Sequence, residues 1–237
     1  GILAGGIAHD FNNILTGIMG NASLARMYAK TDSELYDRLV ELEKASQRAR
    51  DLTHQLLTFS KGGNPIKKTV SLAELVMESA RFVLSGSSVK CQFDFRERLW
   101  PVAVDEGQIN QVLNNIIINA IQSMPGGGMI YISVSNAHID KDSPVPLRPG
   151  RYVRISIRDQ GVGIPPENLH RIFDPFFTTK SMGNGLGLST TYSIIQKHDG
   201  HIMAESEIGK GTVFHIYLPS TGREGSVAAE HEEENGF

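Results

Sequence analysis

Apolar residues near the start of the chain recur at alternating spacings of four and three, apart from a gap at Asn21, and this periodicity constrains the fold more than any other feature. The series is Ile7, Phe11, Ile14, Ile18, Ala25 and Tyr28. Such spacing places the side chains along one seam of an α-helix. Thr31-Asp32-Ser33 then offers a break and an N-cap, with Glu34 in the first turn of the next segment.

A second seam follows and stops at Gly62-Gly63-Asn64-Pro65. Its members are Leu35, Leu39, Leu42, Ala45, Ala49, Leu52, Leu56 and Phe59. Two long helices joined by a short turn form an antiparallel hairpin, whose core is too thin when it stands alone. We therefore predict an all-α hairpin over residues 1–64 that pairs with a second copy into a dimeric four-helix bundle.

From residue 66 the pattern changes to short strands interspersed with helices. IKKTV, VKCQFDF, MIYISVSNAHI and YVRISIRD predict strands, and HIMAES and GTVFHIYLP predict a closing hairpin. Helices are predicted over 72–84, 105–124 and 187–198. Because no regular βαβ repeat is visible, we predict an α+β domain over residues 65–219, with one mixed sheet under helices.

The last residues, 220–237, differ in composition from the rest of the chain. Arg223 stands there against Glu224, Glu230, Glu232, Glu233 and Glu234. Such a polar stretch is typical of a linker or a disordered end, and we predict an acidic tail there.

Charge and composition limit the partners. The net charge of the 237 residues is −3 and no long basic run occurs, which argues against nucleic acid. The single cysteine, Cys91, excludes an internal disulfide and fits a reducing compartment. No stretch reaches the ~18 apolar residues of a membrane span. We expect a cytoplasmic region without membrane contact of its own, although an anchor or sensor upstream is compatible with this sequence.

The stretch GGIAHDFNNILTGIMGN contains His9-Asp10 and Asn12-Asn13 where a helix would do better with Glu, Lys or Ala. Two interpretations are open from these residues alone. His9 is either a surface histidine on an amphipathic helix, or a nucleophile with its base and a positioned amide beside it.

The stretch DQGVGIP offers a place for a flat ligand. Gly161 and Gly163 flank a single residue after a predicted strand, so the backbone there can approach a ligand closely. Asp159 can accept a hydrogen bond from an exocyclic amine, which distinguishes adenine from guanine. A tight turn with an aspartate cap is the simpler alternative.

NNIIINAIQSM places two amides on one face of the long predicted helix. Asn115 and Asn119 are four residues apart. Unpaired amides in so apolar a helix are unfavourable, whereas amide oxygens suit a hard cation such as Mg²⁺. A buried amide network is the alternative.

A glycine-rich segment precedes the last predicted helix. Gly183, Gly185 and Gly187 alternate there, and Lys180 adds a positive charge before them, a combination that favours an anion site. The spacing is not that of a Rossmann motif, and GKGT at 209–212 does not complete a Walker A loop. Phe173, Phe176 and Phe177 suit a mobile lid or ordinary core packing.

Together these stretches resemble the sequence boxes of two-component sensor histidine kinases over roughly residues 1–219. HDFNN resembles the H box of the HDxxN branch, and NNIIINA resembles the N box. DQGVGIP, DPFFTTK and GNGLGLS resemble the G1, F and G2 boxes. The resemblance implies a dimerisation hairpin followed by a Bergerat-type ATP-binding domain.

The resemblance also implies residue roles. His9 is the expected phosphorylation site, Asp10 the acid that fixes its tautomer, and Asn13 the amide that orients water for dephosphorylating the partner. Asn119 is expected to bind Mg²⁺ and Asn115 the phosphates or the metal shell. Asp159 is expected to bind the adenine amine of ATP, in a pocket shaped by Gly161 and Gly163. The residues expected at the phosphates are Thr179, Lys180, Gly183, Gly185, Leu186 and Gly187.

The implied activity is ATP-dependent autophosphorylation of His9, followed by transfer to an aspartate of a response-regulator receiver domain, which is separate or fused after the tail. Two departures from the family pattern are Asp10 in place of the commoner Glu, and Gln122 where many relatives carry Lys. The signal, the cognate regulator, the choice between cis and trans phosphorylation and the balance of kinase and phosphatase activity are not encoded in these motifs.

Other functions are compatible with parts of the pattern. Related ATPases hydrolyse ATP with a glutamate at the place of Asn115, and an amide cannot take a proton from water, so hydrolysis is disfavoured. A serine kinase would not need the hairpin. An ATP-binding dimeric scaffold without phosphotransfer is the remaining alternative. His198 and His201, in KHDGH, resemble a metal pair but more simply mark the end of a helix.

Overall fold

A computed structural model describes residues 2–31, 33–60, 64–95, 98–180 and 183–222, without the side chains of 2–13, 48 and 50–60. The chain divides into two compact units. One comprises residues 1–64 with 174–190, and the other comprises 65–173 with 191–237. Among the described residues, no helix is both long and apolar enough to cross a membrane.

The first unit contains the predicted hairpin of α1 (Ile2–Tyr28) and α2 (Glu34–Ser60). Ser33 begins the second helix, because its Oγ accepts a hydrogen bond from the backbone N–H of Tyr36 at 3.2 Å. The helices are antiparallel: Glu43 Oε1 accepts hydrogen bonds from Ser23 Oγ at 2.6 Å and from Arg26 Nε at 3.1 Å. The sequence prediction of a hairpin is confirmed.

The apolar seam does not fill the contact between the two helices of one chain. Among the hairpin side chains that the structure describes, the buried ones are Leu15, Ala22 and Ser46. Seam residues with described side chains remain open to solvent: Ile14 is 60% exposed, Ile18 41%, Tyr28 89%, Leu35 60% and Leu42 45%. One hairpin thus leaves an apolar strip uncovered along both helices.

The second unit is built on a five-stranded sheet. Its strands are β2 (Val89–Asp94), β4 (Gly128–Ile139), β5 (Gly150–Arg158), β6 (His201–Glu207) and β7 (Gly211–Pro219), in the order β2-β4-β5-β7-β6. The pair β2 and β4 is parallel and the other pairs are antiparallel. The predicted mixed sheet is therefore confirmed.

A two-stranded sheet completes the strands: β1 (Lys68–Val70) pairs antiparallel with β3 (Val102–Val104). The sequence analysis did not predict β3, since three residues directly after Pro101 are too few to show an alternation.

The helices of this unit are α3 (Leu72–Leu84), α4 (Glu106–Ser123), the single turn α5 (Pro166–Leu169) and α6 (Gly187–Lys197), which begins in the other unit. α3 packs against α4, and α4 packs on β5 and β7. The buried residues of α4 are Ile109, Val112, Leu113, Ile116, Ile117 and Ala120. Because one side of α4 is committed to this core, Asn115 and Asn119 remain half-buried at its edge.

Candidate active site

Asp159 lies directly after β5 and is 4% exposed. Its Oδ1 accepts hydrogen bonds from the backbone N–H of Gly161 at 2.8 Å and of Thr212 at 3.2 Å. The Ser123 hydroxyl, at the end of α4, lies 3.4 Å from the same oxygen. A buried carboxylate needs such donors, and these fix the side chain in one orientation.

The glycines around Asp159 are required by close packing. A Cβ at position 161 would lie 2.5 Å from Ser123 Cβ, and one at position 163 would lie 2.8 Å from the carbonyl carbon of Glu207. Gly163 also has a φ of 76°, which favours glycine. These glycines are therefore needed for contacts with Ser123 and Glu207, and the close approach of a ligand to their backbone stays a prediction.

The two predicted amides on α4 have different described surroundings. Asn115 Nδ2 donates to Thr191 Oγ1 on α6 at 3.4 Å, and Thr191 is fully buried. Asn119 is half-buried one turn further along the same face. The Asn115 contact is consistent with the amide network that the sequence left open as an alternative. Asn110, earlier on α4, accepts a hydrogen bond from Ser79 on α3.

Residues 174–190 hold the predicted phosphate-binding segment. The backbone N–H of Phe176 donates to the Gly185 carbonyl at 2.9 Å, and Phe176 has a left-handed φ of 66°. A Cβ at position 185 would lie 2.7 Å from Phe176 Cα, so only glycine fits there.

The same segment closes a second loop around Lys180. The backbone N–H of Lys180 donates to Thr178 Oγ1 at 3.1 Å, and the Lys180 carbonyl accepts a hydrogen bond from the backbone N–H of Gly183 at 3.2 Å. Thr179 is exposed, Leu186 is 2% exposed and Gly187 is the first residue of α6. The glycine-rich turn therefore leads directly into a helix N-terminus.

His9, Asp10 and Asn13 all lie on α1. Their side chains lie outside the described residues, so the proposed pairing of His9 with Asp10 stays a prediction.

Sequence analysis missed Thr212 and Ser123, which hold Asp159, and Thr191, which contacts Asn115. The sequence signal for Thr212 is the glycine before it in GKGT at 209–212. Gly211 has a φ of 96°, and a Cβ there would lie 2.8 Å from the carbonyl carbon of Asp159, so only glycine fits at this position. Gly211, beside this threonine, marks a close approach of backbone, whereas nothing lies within 4 Å of a Cβ at Gly209.

His198 and His201 do not form a metal centre in the part of the chain that the structure describes, where no group of three or more His, Cys, Asp or Glu is arranged to hold a metal ion. His198 instead accepts a hydrogen bond at Nε2 from the backbone N–H of Asp105 at 3.0 Å. Burial lowers the pKa of both imidazoles below their ordinary value of 6.5.

Two known protein families match this chain, one over its C-terminal half and one over its N-terminal hairpin. Residues 104–222 match the family described as histidine kinase-, DNA gyrase B-, and HSP90-like ATPase. Residues 1–65 match the His kinase A (phospho-acceptor) domain. The first match covers half of the chain.

Two curated relatives align with nearly the whole chain. Sensor kinase CckA of Brucella abortus (strain 2308) is 40% identical over 228 residues, which are 92% of this chain and 24% of that protein. Sporulation kinase E of Bacillus subtilis (strain 168) is 34% identical over 222 residues, which are 92% of this chain and 28% of that protein. The chain thus spans about a quarter of the length of these curated relatives.

Solved structures agree in fold. The catalytic domain of histidine kinase ThkA matches 65% of this chain and 95% of its own chain, with a TM-score of 0.53 and 32% identity. Full-length ShkA in complex with AMPPNP matches 92% of this chain and 45% of its own, with a TM-score of 0.71 and 23% identity. With a phospho-acceptor domain followed by an ATP-binding domain, the chain belongs to the sensor histidine kinase family and carries its catalytic core.

Proposed function

We propose that the chain phosphorylates His9 with ATP and passes the phosphoryl group to an aspartate of a response-regulator receiver domain. The observation that carries this proposal is the buried Asp159, held as an acceptor by two backbone N–H groups in a domain that belongs to an ATP-binding family. An acceptor fixed in this way selects a base with an exocyclic amine, as adenine has, over one with a carbonyl at that place.

The residues proposed to bind the phosphates of ATP are Thr179, Lys180, Gly183, Gly185, Leu186 and Gly187, and Asn115 is proposed to bind the phosphates or the metal shell. Lys180 supplies positive charge, and the N-terminus of α6 at Gly187 supplies the positive end of the helix dipole. A Mg²⁺ ion that accompanies ATP would be held by the Asn119 amide oxygen together with the phosphates, and it would neutralise their charge. The donor set fits, because Mg²⁺ keeps most of its waters and needs few protein ligands.

Transfer rather than hydrolysis is favoured by the residue at position 115. An amide that donates to Thr191 cannot act as a general base for water. The nucleophile would be a ring nitrogen of neutral His9, which forms a bond to the γ-phosphorus while the bond to the bridging β–γ oxygen breaks and ADP leaves. Asp10 would hold the proton on the other ring nitrogen. The phosphoryl group then moves from the phosphorylated ring nitrogen of His9 to an aspartate oxygen of the receiver.

The hairpin would provide the dimer interface. The exposed seam of Ile14, Ile18, Leu35 and Leu42 is the apolar strip that a second hairpin would cover. The receiver domain is then a separate protein or a domain fused beyond the acidic tail, and Asn13 would orient water when the phosphorylated partner is dephosphorylated.

The chemical stability of the incorporated phosphate tests this function. The full chain is incubated with Mg²⁺ and γ-labelled ATP, and the labelled protein is then treated with acid or with base. We expect label that acid removes and base leaves in place, as phosphohistidine requires. Acid-stable label would indicate serine or threonine phosphorylation, and steady phosphate release without label would indicate an ATPase.

A further inference from the structure

One carboxylate, Asp105, holds the first turn of α4 together with the segment before β1. Its Oδ1 accepts a hydrogen bond from the backbone N–H of Gln108 at 3.1 Å, and its Oδ2 accepts one from that of Ile66 at 3.0 Å. The Gln108 hydrogen bond is the main reason that the pKa of Asp105 lies below its ordinary value of 3.8. Asp105 therefore acts at once as the N-cap of α4 and as the anchor of the segment before β1.

His198, directly after α6, is bonded to the same residue. Its ring is almost fully buried, Nδ1 lies 2.9 Å from the Ile194 carbonyl, and Nε2 lies 3.0 Å from the backbone nitrogen of Asp105. An amide N–H can only donate, so Nε2 carries no proton. The Ile194 carbonyl can only accept, so Nδ1 carries it. The imidazole is therefore neutral in this arrangement.

The next residue adds a second connection. Asp199, with a left-handed φ of 57°, forms an ion pair with Lys67 Nζ at 2.7 Å. An exposed ion pair contributes little by itself. These contacts form a cluster that we call the Asp105 clasp, and its members are Ile66, Lys67, Asp105, His198 and Asp199.

We propose that Asp105 and His198 are positioning residues for nucleotide binding, because the clasp joins the N-terminal end of α4 to the C-terminal end of α6. The same helices meet again where Asn115 contacts Thr191. The amide face of α4 is thus tied to α6 at two points in addition to its packing on the core, and loss of the clasp removes one of these two ties. This inference rests on the proposed function of Asn115 and Asn119.

The clasp also responds to protonation of His198. A proton on Nε2 removes the acceptor for the Asp105 N–H and leaves two donors facing each other. The charged groups around the ring are Lys67, which opposes protonation, and Asp105 and Asp199, which favour it. Burial outweighs the carboxylates and lowers the pKa of His198, so the clasp is closed at neutral pH and opens in acid.

The test measures binding of Mg²⁺ with the non-hydrolysable analogue adenylyl imidodiphosphate to the full chain, by calorimetry. His198→Leu keeps the bulk and removes the acceptor, and we expect about tenfold weaker binding at about pH 7.5, equivalent to about 1.4 kcal/mol. His198→Gln keeps an acceptor that does not titrate, and we expect affinity close to the parent. His170→Gln, at an exposed histidine, is the matched control.

The pH dependence separates positioning from general loss of structure. From about pH 7.5 down to the lowest pH at which both proteins stay folded, the parent should lose more affinity than His198→Gln, while titration of the nucleotide affects both equally. Equal losses, or parent-like binding by folded His198→Leu, would overturn the inference and leave the proposed function standing. If His198→Leu does not fold, the His198→Gln comparison decides. A parent that does not bind nucleotide would contradict both proposals.

Discussion

Gly161 and Ser123 fit each other so closely that a Cβ at position 161 would lie 2.5 Å from the Ser123 Cβ. Ser123 ends α4 and Gly161 lies in the loop after β5, so the contact joins the helix that carries Asn115 and Asn119 to the loop that carries Asp159. The close contact between the Gly161 backbone and the Ser123 side chain therefore connects Asp159, the proposed adenine-binding residue, with the helix that carries Asn115 and Asn119.

Gly161→Ala should abolish tight nucleotide binding, because Ser123, Asp159 or the loop must move to admit the new methyl group. We expect at least about tenfold weaker ATP affinity by calorimetry and a lower melting temperature. Adding Ser123→Gly should recover part of the affinity. Gly126→Ala is the control, because nothing lies within 4 Å of a Cβ there. Equal affinities for Gly161→Ala and Gly126→Ala would contradict the assignment.

Asp159→Asn should separate binding from folding. The asparagine oxygen can still accept from the N–H groups of Gly161 and Thr212, whereas its NH₂ group opposes the amine of adenine. We expect ATP affinity to fall by about tenfold or more and the preference for ATP over GTP to shrink, with little change in melting temperature. Asp159→Ala, which leaves two buried donors unpaired, should also lose about 2 kcal/mol of stability. An unchanged ATP preference in Asp159→Asn would exclude Asp159 as the adenine acceptor.

Ile18→Glu should convert the dimer into a monomer, because it places a charge in the seam that the second hairpin would cover. Light scattering after gel filtration measures the mass. Met27→Glu is the matched control, since Met27 is 80% exposed and lies outside the seam. A parent that is already monomeric, or a dimer that tolerates Ile18→Glu, would contradict the proposed interface.

The free energy of unfolding should fall on acidification, because histidines whose pKa is lowered by burial become protonated. Burial lowers the pKa of His198 in the folded chain, whereas the unfolded chain keeps the ordinary value of 6.5. On acidification the unfolded state therefore takes up the proton at a higher pH than the folded state does. The contribution of His198 to the free energy of unfolding is fully present above pH 6.5 and is lost as the pH falls through the lower pKa of the folded state. His201 and His215 shift in the same direction, also because of burial.

Urea unfolding at several pH values measures this loss, which is at most about 1.4 kcal/mol per pH unit for each histidine. His198→Gln should show a shallower decline than the parent. A stability curve of the same slope in both proteins would show that His198 is not responsible.

The sequence predicted those features that depend on neighbours in the chain. Ser33 and Asp105 cap the helices that follow them, as their position before helical patterns indicated. Alternation predicted β4, where Ile130, Ile132 and Val134 are buried.

Contacts between distant residues were not predictable in this way. Thr212 reaches Asp159 across 53 positions, and His198 reaches Asp105 across 93. Periodicity reports which face of an element is buried, but not which loops meet at its ends. The sequence likewise predicted that one hairpin has too thin a core, but not that Leu15 and Ala22, which lie outside the seam, would be buried while Ile14 and Ile18 are exposed.

The most direct test of the central claim maps the labelled residue. The parent, His9→Ala and His170→Ala are incubated with Mg²⁺ and γ-labelled ATP, and incorporation is followed with time. The account predicts acid-labile label on the parent and on His170→Ala, and none on His9→Ala. Label that persists on His9→Ala would contradict the assignment of His9 as the phosphorylated residue.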